Sequence, residues 1–354
     1  MKKIAVFAGS DLRNYGGGEK DVIGWVSRLK DDAEIHVYSP IESDINHRVT
    51  LEFINERLGG VRINWYGAKK LRLLKDILPL SLFDLTEYDK VYSMCQGFIL
   101  NSILIRHSKK FILGIHNLNT LATAPIEPKG WKKLLFSLSQ RMQLHYVLKS
   151  PEIRIQNNDD RRRLEQVGYR GKIWNVPPRM FETMPEPEIT QRFYAVWINR
   201  VSPEKRPEEI VKIANACPNV EFHIIGSGKS MSVLNDFVNN NARVLGFLGE
   251  NELQRELAGA SVYISTSRGE TFGMSAVEAM ACGVPTVVYD VMGLRDHSMF
   301  IVQNAEEAAD RIRMIEKQFG NEGWANYRKK IQLDALERFS DRVVLPQILE
   351  MVTA

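Results

Sequence analysis

Short apolar runs and amphipathic stretches alternate along this chain. Lys3–Phe7, Ile35–Tyr38, Val61–Tyr66, Val91–Met94 and Phe111–Ile115 are mostly apolar and of strand length. Glu19–Lys30 lies between the first two, and its Val22, Val26 and Leu29 recur at helical spacing. Strands alternating with helices predict βαβ units and a parallel sheet with helices on both faces. The alternation stops at Val176–Glu188, where Pro177, Pro178, Pro185 and Pro187 exclude a helix or a central strand. It resumes with Phe193–Ile198, a helix over Pro207–Ala216, and strands at Val220–Ile225, Val244–Phe247, Val262–Ser265 and Thr286–Tyr289. Pro207 suits a first helical turn, where Glu208 and Glu209 complement the positive helix end. The pattern predicts an α/β protein of two doubly wound domains, 1–180 and 181–336, with 337–354 as a helix crossing back to the first. Such sheets bind ligands at the carboxyl ends of their strands, and two facing sheets leave a cleft.

Composition narrows the class. The 354 residues are 44% hydrophobic and 25% charged, which excludes a disordered chain and allows two cores. Cys95, Cys217 and Cys282 are scattered, so a disulfide scaffold or structural zinc site is not expected, and a reducing compartment fits. The apolar run Ile4–Gly9 is shorter than the ~7–15 residues of a secretory h-region, and no stretch approaches the ~18 of a membrane span. The expectation is a cytoplasmic protein. Charge is uneven: residues 1–180 carry 29 Lys/Arg against 19 Asp/Glu, whereas 181–354 carry 18 against 24. A first half at +10 and a second at −6 would suit an anionic partner on the first half, or simply scattered surface lysines.

The most informative stretch is STSRGETFGMSAVEAMACGVPTVVYD, residues 265–290. A buried strand leads to a turn at Arg268–Gly269. A helix then begins near Gly273 and stops at Gly283–Val284–Pro285. The free amides of Gly273, Met274 and Ser275, with the positive end of the helix dipole, form an anion site above the strand end. Glu270 precedes the helix and Glu278 lies about 6 Å beyond Met274 along the axis, at ~1.5 Å per residue. Carboxylates only accept hydrogen bonds, so two of them flanking an anion site suit hydroxyl-rich groups on either side.

Glu270, seven residues, then Glu278, within ETFGMSAVEAMACGVP, resembles the signature of retaining GT-B glycosyltransferases, most closely family four. The resemblance implies a GT-B fold, two Rossmann-like domains facing across a cleft. It implies that Glu270 meets the donor sugar, Glu278 the ribose, and the amides from Phe272 and Gly273 to Met274 and Ser275 the diphosphate. WINRVSPEKRPEEIVKIANACPNVEFHIIGSG is similar to the family's strand, Arg, loop, Lys, helix, strand run, implying Arg200 and Lys205 as the cations on the diphosphate. VLGFLGENELQRELAGASVYISTS implies a base site near Leu245–Gly246. In the first half, YGGGEKDVIGWVSRL implicates Gly16 and Gly17 at the donor, FILGIHNL places His116 beside the donor sugar, and RIQNNDDRRRLEQVGY resembles the strand end closing that domain. GLRDHS resembles the Gly-Gly-x-x-Glu loop, with Asp296 where Glu is usual. Asn199 before Arg200, Thr271 after Glu270, and Asn175–Val176–Pro177–Pro178 also depart from the family pattern.

Other readings fare less well. Arg200 and Lys205 could be a solvated face, yet they follow a buried strand. Glu278 could be a surface position, yet its neighbours Ala276, Val277, Ala279, Met280 and Ala281 are apolar, and a carboxylate there needs a partner. A lone histidine such as His116 is more often a core residue, and only the resemblance makes it a site residue. GSGKS at 226–230 mimics a P-loop end, but His223 stands where the first Gly should be. Gly16–Gly17–Gly18 is not a dinucleotide fingerprint. Glu87–Tyr88–Asp89 reads as a solvated turn, so no metal is expected.

The resemblance therefore implies a retaining, metal-independent hexosyltransferase without a cofactor. It would move sugar from a nucleoside-diphosphate sugar, UDP ahead of GDP, to a hydroxyl on a glycan or lipid-linked glycan. The alternatives are a nucleotide-sugar 2-epimerase on the same fold, which would need more acid/base groups than His116, and a non-catalytic nucleotide-sugar binder. Finally, KGWKKLLFSLSQRMQLHYVLK at 129–149 holds five Lys/Arg and no acid. Trp131, Leu134, Leu135, Leu138, Met142 and Tyr146 follow helical spacing. The stretch reads either as a helix covering the sheet or as an interfacial helix, with Lys129, Lys132 and Lys133 on anionic headgroups at a cytoplasmic membrane face and Trp131 and Phe136 in the lipid boundary. Nucleic acid would satisfy the same charge, but no reader motif accompanies it, and none is expected as a partner.

Overall fold

The computed structural model describes residues 1–41, 48–66, 84–94, 104, 110–115, 130, 137, 141, 143–188, 190–237 and 241–354. They fall into two compact units, Met1–Met180 with Asp341–Ala354, and Phe181–Ser340.

Unit 1 is built on a seven-stranded parallel sheet. Its strands are β1 (Lys3–Phe7), β2 (Glu34–Pro40), β3 (Arg62–Tyr66), β4 (Lys90–Ser93), β5 (Phe111–Gly114), β6 (Glu152–Ile155) and β7 (Lys172–Asn175). They lie in the order β3-β2-β1-β4-β5-β6-β7. The inner strands β4 and β5 are buried throughout, as parallel strands covered on both faces must be, while the edge strand β3 is largely half-buried. Helix α1 (Gly17–Leu29) buries Val22, Ile23, Val26 and Leu29 in a core with Ile4, Val6, Ile35 and Val37. Helix α2 (Leu51–Leu58) adds Ile54 and Leu58 to it. Helix α3 (Asn158–Gln166) starts at Asn157, whose side chain accepts from the Asp160 amide.

Strand β6, EIRI, is absent from the apolar pattern because Arg154 interrupts it. That arginine is fully buried. Its guanidinium bonds Asp21 Oδ2 at 2.9 Å and the Val176 and Pro177 carbonyls at 3.1 and 2.6 Å. Asp21 also accepts from the Arg179 amide at 2.6 Å. One ion pair thus ties β6, α1 and the first half of the proline stretch together, which is how two such charges are tolerated inside.

Unit 2 is built on a six-stranded parallel sheet of β8 (Tyr194–Ile198), β9 (Glu221–Ile225), β10 (Ala242–Gly246), β11 (Val262–Ser265), β12 (Thr286–Tyr289) and β13 (Phe300–Val302). The order is β10-β9-β8-β11-β12-β13. Helices α4 (Pro207–Ala216), α5 (Glu250–Gly259), α6 (Met274–Ala281), α7 (Ala305–Glu316) and α8 (Trp324–Phe339) accompany it. The last helix, α9 (Asp341–Thr353), buries Val344, Ile348, Met351 and Val352 in the core of unit 1. β10 ends one residue before the expected Phe247, at a left-handed Gly246 (φ 69), and Phe247 is 65% exposed. The second half of the proline stretch is pinned to unit 2: the Glu188 amide donates to Ala258 O, and buried Arg328 reaches the Glu188, Ala258 and Gly283 carbonyls.

The strand order turns back between β8 and β11, which are neighbours although β9 and β10 come between them in the chain. At such a switch point the loops leave the sheet in opposite directions and a crevice opens above the strand ends. Of the donor-site residues expected in the second half, Arg200 and Lys205 follow β8, Leu245 lies at the end of β10, and those from Glu270 to Glu278 run from the loop after β11 into α6.

Candidate active site

Beyond β8, backbone packs directly on backbone. The Asn199 amide donates to Ile225 O and the Val201 amide to Ser227 O, both at 3.0 Å. A Cβ on Gly226 would lie 1.9 Å from Asn199 O, and one on Gly228 would lie 2.1 Å from Val201 O, so both glycines are sterically required. This packing turns the Arg200 side chain outward, 60% exposed and 3.1 Å from Glu204. The Ser202 hydroxyl, with Arg200 and Lys205, holds the partly desolvated Glu204 carboxylate below its ordinary range. The Gly226 amide also reaches Gly246 O at 2.6 Å, drawing Leu245–Gly246 to the same edge.

The turn Pro203–Lys205 ends at Arg206, a left-handed non-glycine residue (φ 48, ψ 62). Such a backbone costs an ordinary L-residue about 1–2 kcal/mol and persists where surroundings enforce it. Here Lys205 forms an ion pair with Glu270 Oε1, and the Ser267 hydroxyl donates to the same oxygen at 2.8 Å. The Arg268 amide donates to Glu204 O at 2.8 Å. Two turns, one after β8 and one after β11, are therefore locked together, with Lys205 and Glu270 in contact.

Gly273 caps the start of helix α6 with a φ of 83, a backbone that favours glycine, and an added Cβ would also lie 2.2 Å from Leu294 Cδ2. Among the described residues no acceptor meets the amides of Gly273, Met274 or Ser275, the arrangement an anion requires. The Tyr263 and Ser275 hydroxyls are 2.7 Å apart, which anchors the first turn of α6 to β11. Phe272 is buried, and Glu278 is half-buried one turn into the helix. The loop before α6 is braced by residues 291–298. The Glu270 amide donates to Met292 O, and a Cβ on Gly293 would lie 2.2 Å from Glu270 O. His297 fills the space behind, its ring 4.8 Å from Phe272 and 5.8 Å from Phe339. Burial, helped by Arg338, pushes its pKa down to about 4. Arg206, Thr266 and His297 carry no sequence signal: an isolated arginine, a threonine in an apolar strand end and a histidine after Asp296 gain meaning only from what they touch.

In unit 1, Gly17 opens α1 and Gly16 caps it, with the Gly16 amide donating to Glu19 Oε2 at 2.9 Å. His116 lies outside the described residues, as do Lys129, Trp131, Lys132, Lys133, Leu134, Leu135, Phe136, Leu138 and Met142. Of the basic stretch, residues 143–149 are helical, with Val147 buried in the core and Leu148 and Lys149 exposed. Glu87 pairs with Lys3, and Asp89 accepts from the Lys3 amide, so both acids of that turn are engaged. His223 sits between Glu256 and Glu221. Although burial opposes it, these two contacts raise its pKa.

The family described as Glycosyl transferases group 1 matches residues 196–317. That match covers about a third of the chain. The matched segment runs from within β8 to just past α7 and contains Arg200, Lys205, Leu245, Glu270 and Glu278. The chain is 24% identical over 180 residues to the O-antigen biosynthesis glycosyltransferase WbnH of Escherichia coli, covering 50% of this chain and 52% of that protein. It spans about half or less of the length of the curated relatives it matches. Among solved structures it resembles sucrose-phosphate synthase from Thermosynechococcus elongatus, with a TM-score of 0.79, 14% identity and coverage of 99% and 98%. It also resembles HepE of Anabaena in complex with UDP and glucose, with a TM-score of 0.76, 16% identity and full coverage of both chains. The fold class is GT-B.

Proposed function

We propose that this chain is a retaining glycosyltransferase that moves a hexosyl group from a nucleoside-diphosphate sugar, a UDP-sugar first, to a hydroxyl of a glycan or lipid-linked glycan. The observation that carries the reading is the contact of Lys205 with Glu270 beside the amides at the start of α6, which meet no acceptor among the described residues, all at the switch point of one sheet. The group 1 glycosyltransferase match over the same residues and the UDP in the HepE structure support it.

In this reading the diphosphate lies on the amides of Gly273, Met274 and Ser275, with Arg200 and Lys205 as its cations. Negative charge grows on the leaving diphosphate as the glycosidic bond lengthens. Fixed donors already aimed at that charge need no reorganisation during reaction, the kind of stabilisation that usually contributes most. Glu270 takes hydroxyls of the donor sugar, Glu278 those of the ribose, and the base rests near Leu245. The leaving phosphate oxygen takes the acceptor's proton on the same face, so no glycosidase-like acid and nucleophile pair is required. The reading places no metal in this reaction and no cofactor beside the donor, and it docks the basic stretch 129–149 on an anionic membrane that delivers a lipid-linked acceptor.

The test is incubation with UDP- and GDP-sugars, with and without glycan acceptors, followed by NMR. Release of nucleoside diphosphate with a product of unchanged anomeric configuration is expected. Interconversion of the free donor sugar's C2 epimers would mean an epimerase, and no turnover with any donor would mean a binder.

A further inference from the structure

The turn that carries Lys205 has two backbone hydrogen bonds of its own, from the Lys205 amide to Ser202 O at 2.9 Å and from the Arg206 amide to Pro203 O at 3.3 Å, and it is also held from outside. Arg206 follows it in the left-handed region, and its side chain explains why that conformation persists. The guanidinium donates from Nε to Thr266 O at 2.7 Å and from Nη2 to Ser267 O at 3.2 Å. Its Cζ lies 4.4 Å from the centroid of the Tyr289 ring, whose hydroxyl donates to Glu209 of α4 at 2.7 Å. Thr266, fully buried, works from the other side. Its hydroxyl lies 2.7 Å from Lys205 O and 3.1 Å from Arg206 O, and accepts from Trp197 Nε1 at 3.0 Å. The peptide between Lys205 and Arg206 is thus clamped to the ends of β8, β11 and β12.

A lysine side chain has four flexible carbons and no planar fork, so its ammonium is only as well placed as the backbone beneath it. Misplacement of a reacting or charge-stabilising group by 1 Å can cost about 10²-fold in rate. Glycine would reach the same φ without strain, but would also let the turn wander. An arginine whose fork grips two carbonyls at the end of β11 removes that freedom.

We propose that Arg206 is a positioning residue for the transfer, fixing the Lys205 ammonium where the leaving diphosphate gains charge. The proposal rests on the donor-site reading above. It extends the working set of residues to one that touches no substrate and acts wholly through its neighbour.

A double-mutant cycle tests it. Arg206→Gly, Lys205→Ala and the double variant are compared by kcat at saturating donor, by the Kd of free UDP and by thermal unfolding. Arg206→Gly should lower kcat about 10-fold while the UDP Kd moves less than about threefold, and in the Lys205→Ala background it should change kcat by less than about twofold. Arg206→Lys, which keeps the charge without the fork, should fall between wild type and Arg206→Gly, and it serves where the glycine variant does not fold. An equal fold-loss in both backgrounds would mean a merely structural role and overturn the proposal. A large loss in Lys205→Ala with native kcat in Arg206→Gly would overturn the Arg206 role and leave the donor site standing. Native kcat in Lys205→Ala itself would remove the donor-site reading and this proposal with it.

Discussion

Lys205 and Glu270 meet across the switch point, 65 positions apart in sequence, with side chains only 15% and 19% exposed. In the proposed donor site, the cation for the diphosphate is thus already paired with the carboxylate for the sugar. The pair keeps a largely buried ammonium compensated before the donor arrives, and the donor must then share it. Lys205→Ala should therefore lower kcat by about 10²-fold, the loss typical of one preorganised charge donor. Glu270→Gln should lower kcat too, yet leave free UDP bound at least as tightly as wild type, because the ammonium is released to the phosphates. Steady-state kinetics with UDP calorimetry on both variants checks this; weakened UDP binding in Glu270→Gln would contradict it.

Glu278 carries the opposite expectation. A ribose contact is equally strong in ground and transition states, so Glu278→Gln should raise the Kd of both UDP and the donor about 10-fold with kcat nearly unchanged. If kcat fell and nucleotide binding did not, the two carboxylates would have exchanged roles.

The family-like residues were legible because their chemistry is local. Gly273, Glu270 and Glu278 are read from a strand end, a turn and a helix start within a few residues of one another, and Arg200 and Lys205 from their place after an apolar strand. What holds them is not local. Thr266 and Arg206 are 60 positions apart and carry no joint sequence signal. β6 escaped the apolar pattern because its Arg154 is buried against Asp21, 133 positions away. Tertiary partners make polar residues core residues, and periodicity cannot see them.

His297 gives a pH signature. Its folded pKa of about 4 lies below the ordinary 6.5, so the unfolded chain binds the proton more readily. The neutral ring's contribution is complete above pH 6.5 and is lost as pH falls toward 4. Linkage puts the loss at about 2 kcal/mol between pH 7 and pH 5. Urea unfolding of wild type and His297→Leu at both values should show a smaller acid destabilisation in the variant. Identical pH dependence would place the histidine in a solvated setting.

The basic stretch 129–149 should bring the protein to anionic vesicles at low salt. Cosedimentation should fall at high salt, and fall again when Lys132 and Lys133 become glutamates, since each surface-proximal lysine contributes about 1 kcal/mol on an anionic leaflet. Equal binding to neutral and anionic vesicles, or none at low salt, would leave only the sheet-covering role.

The proposed donor site stands or falls with a diphosphate bound between Lys205 and the start of α6. Thermal unfolding with UDP, GDP and their parent nucleosides addresses it most directly. A ligand at 100 times its Kd adds about 2.7 kcal/mol, a shift of several degrees. Stabilisation is expected from at least one nucleoside diphosphate, little from the matching nucleoside, and loss of the difference in Lys205→Ala. Equal shifts from nucleoside and diphosphate, or a diphosphate shift that survives Lys205→Ala unchanged, would contradict it.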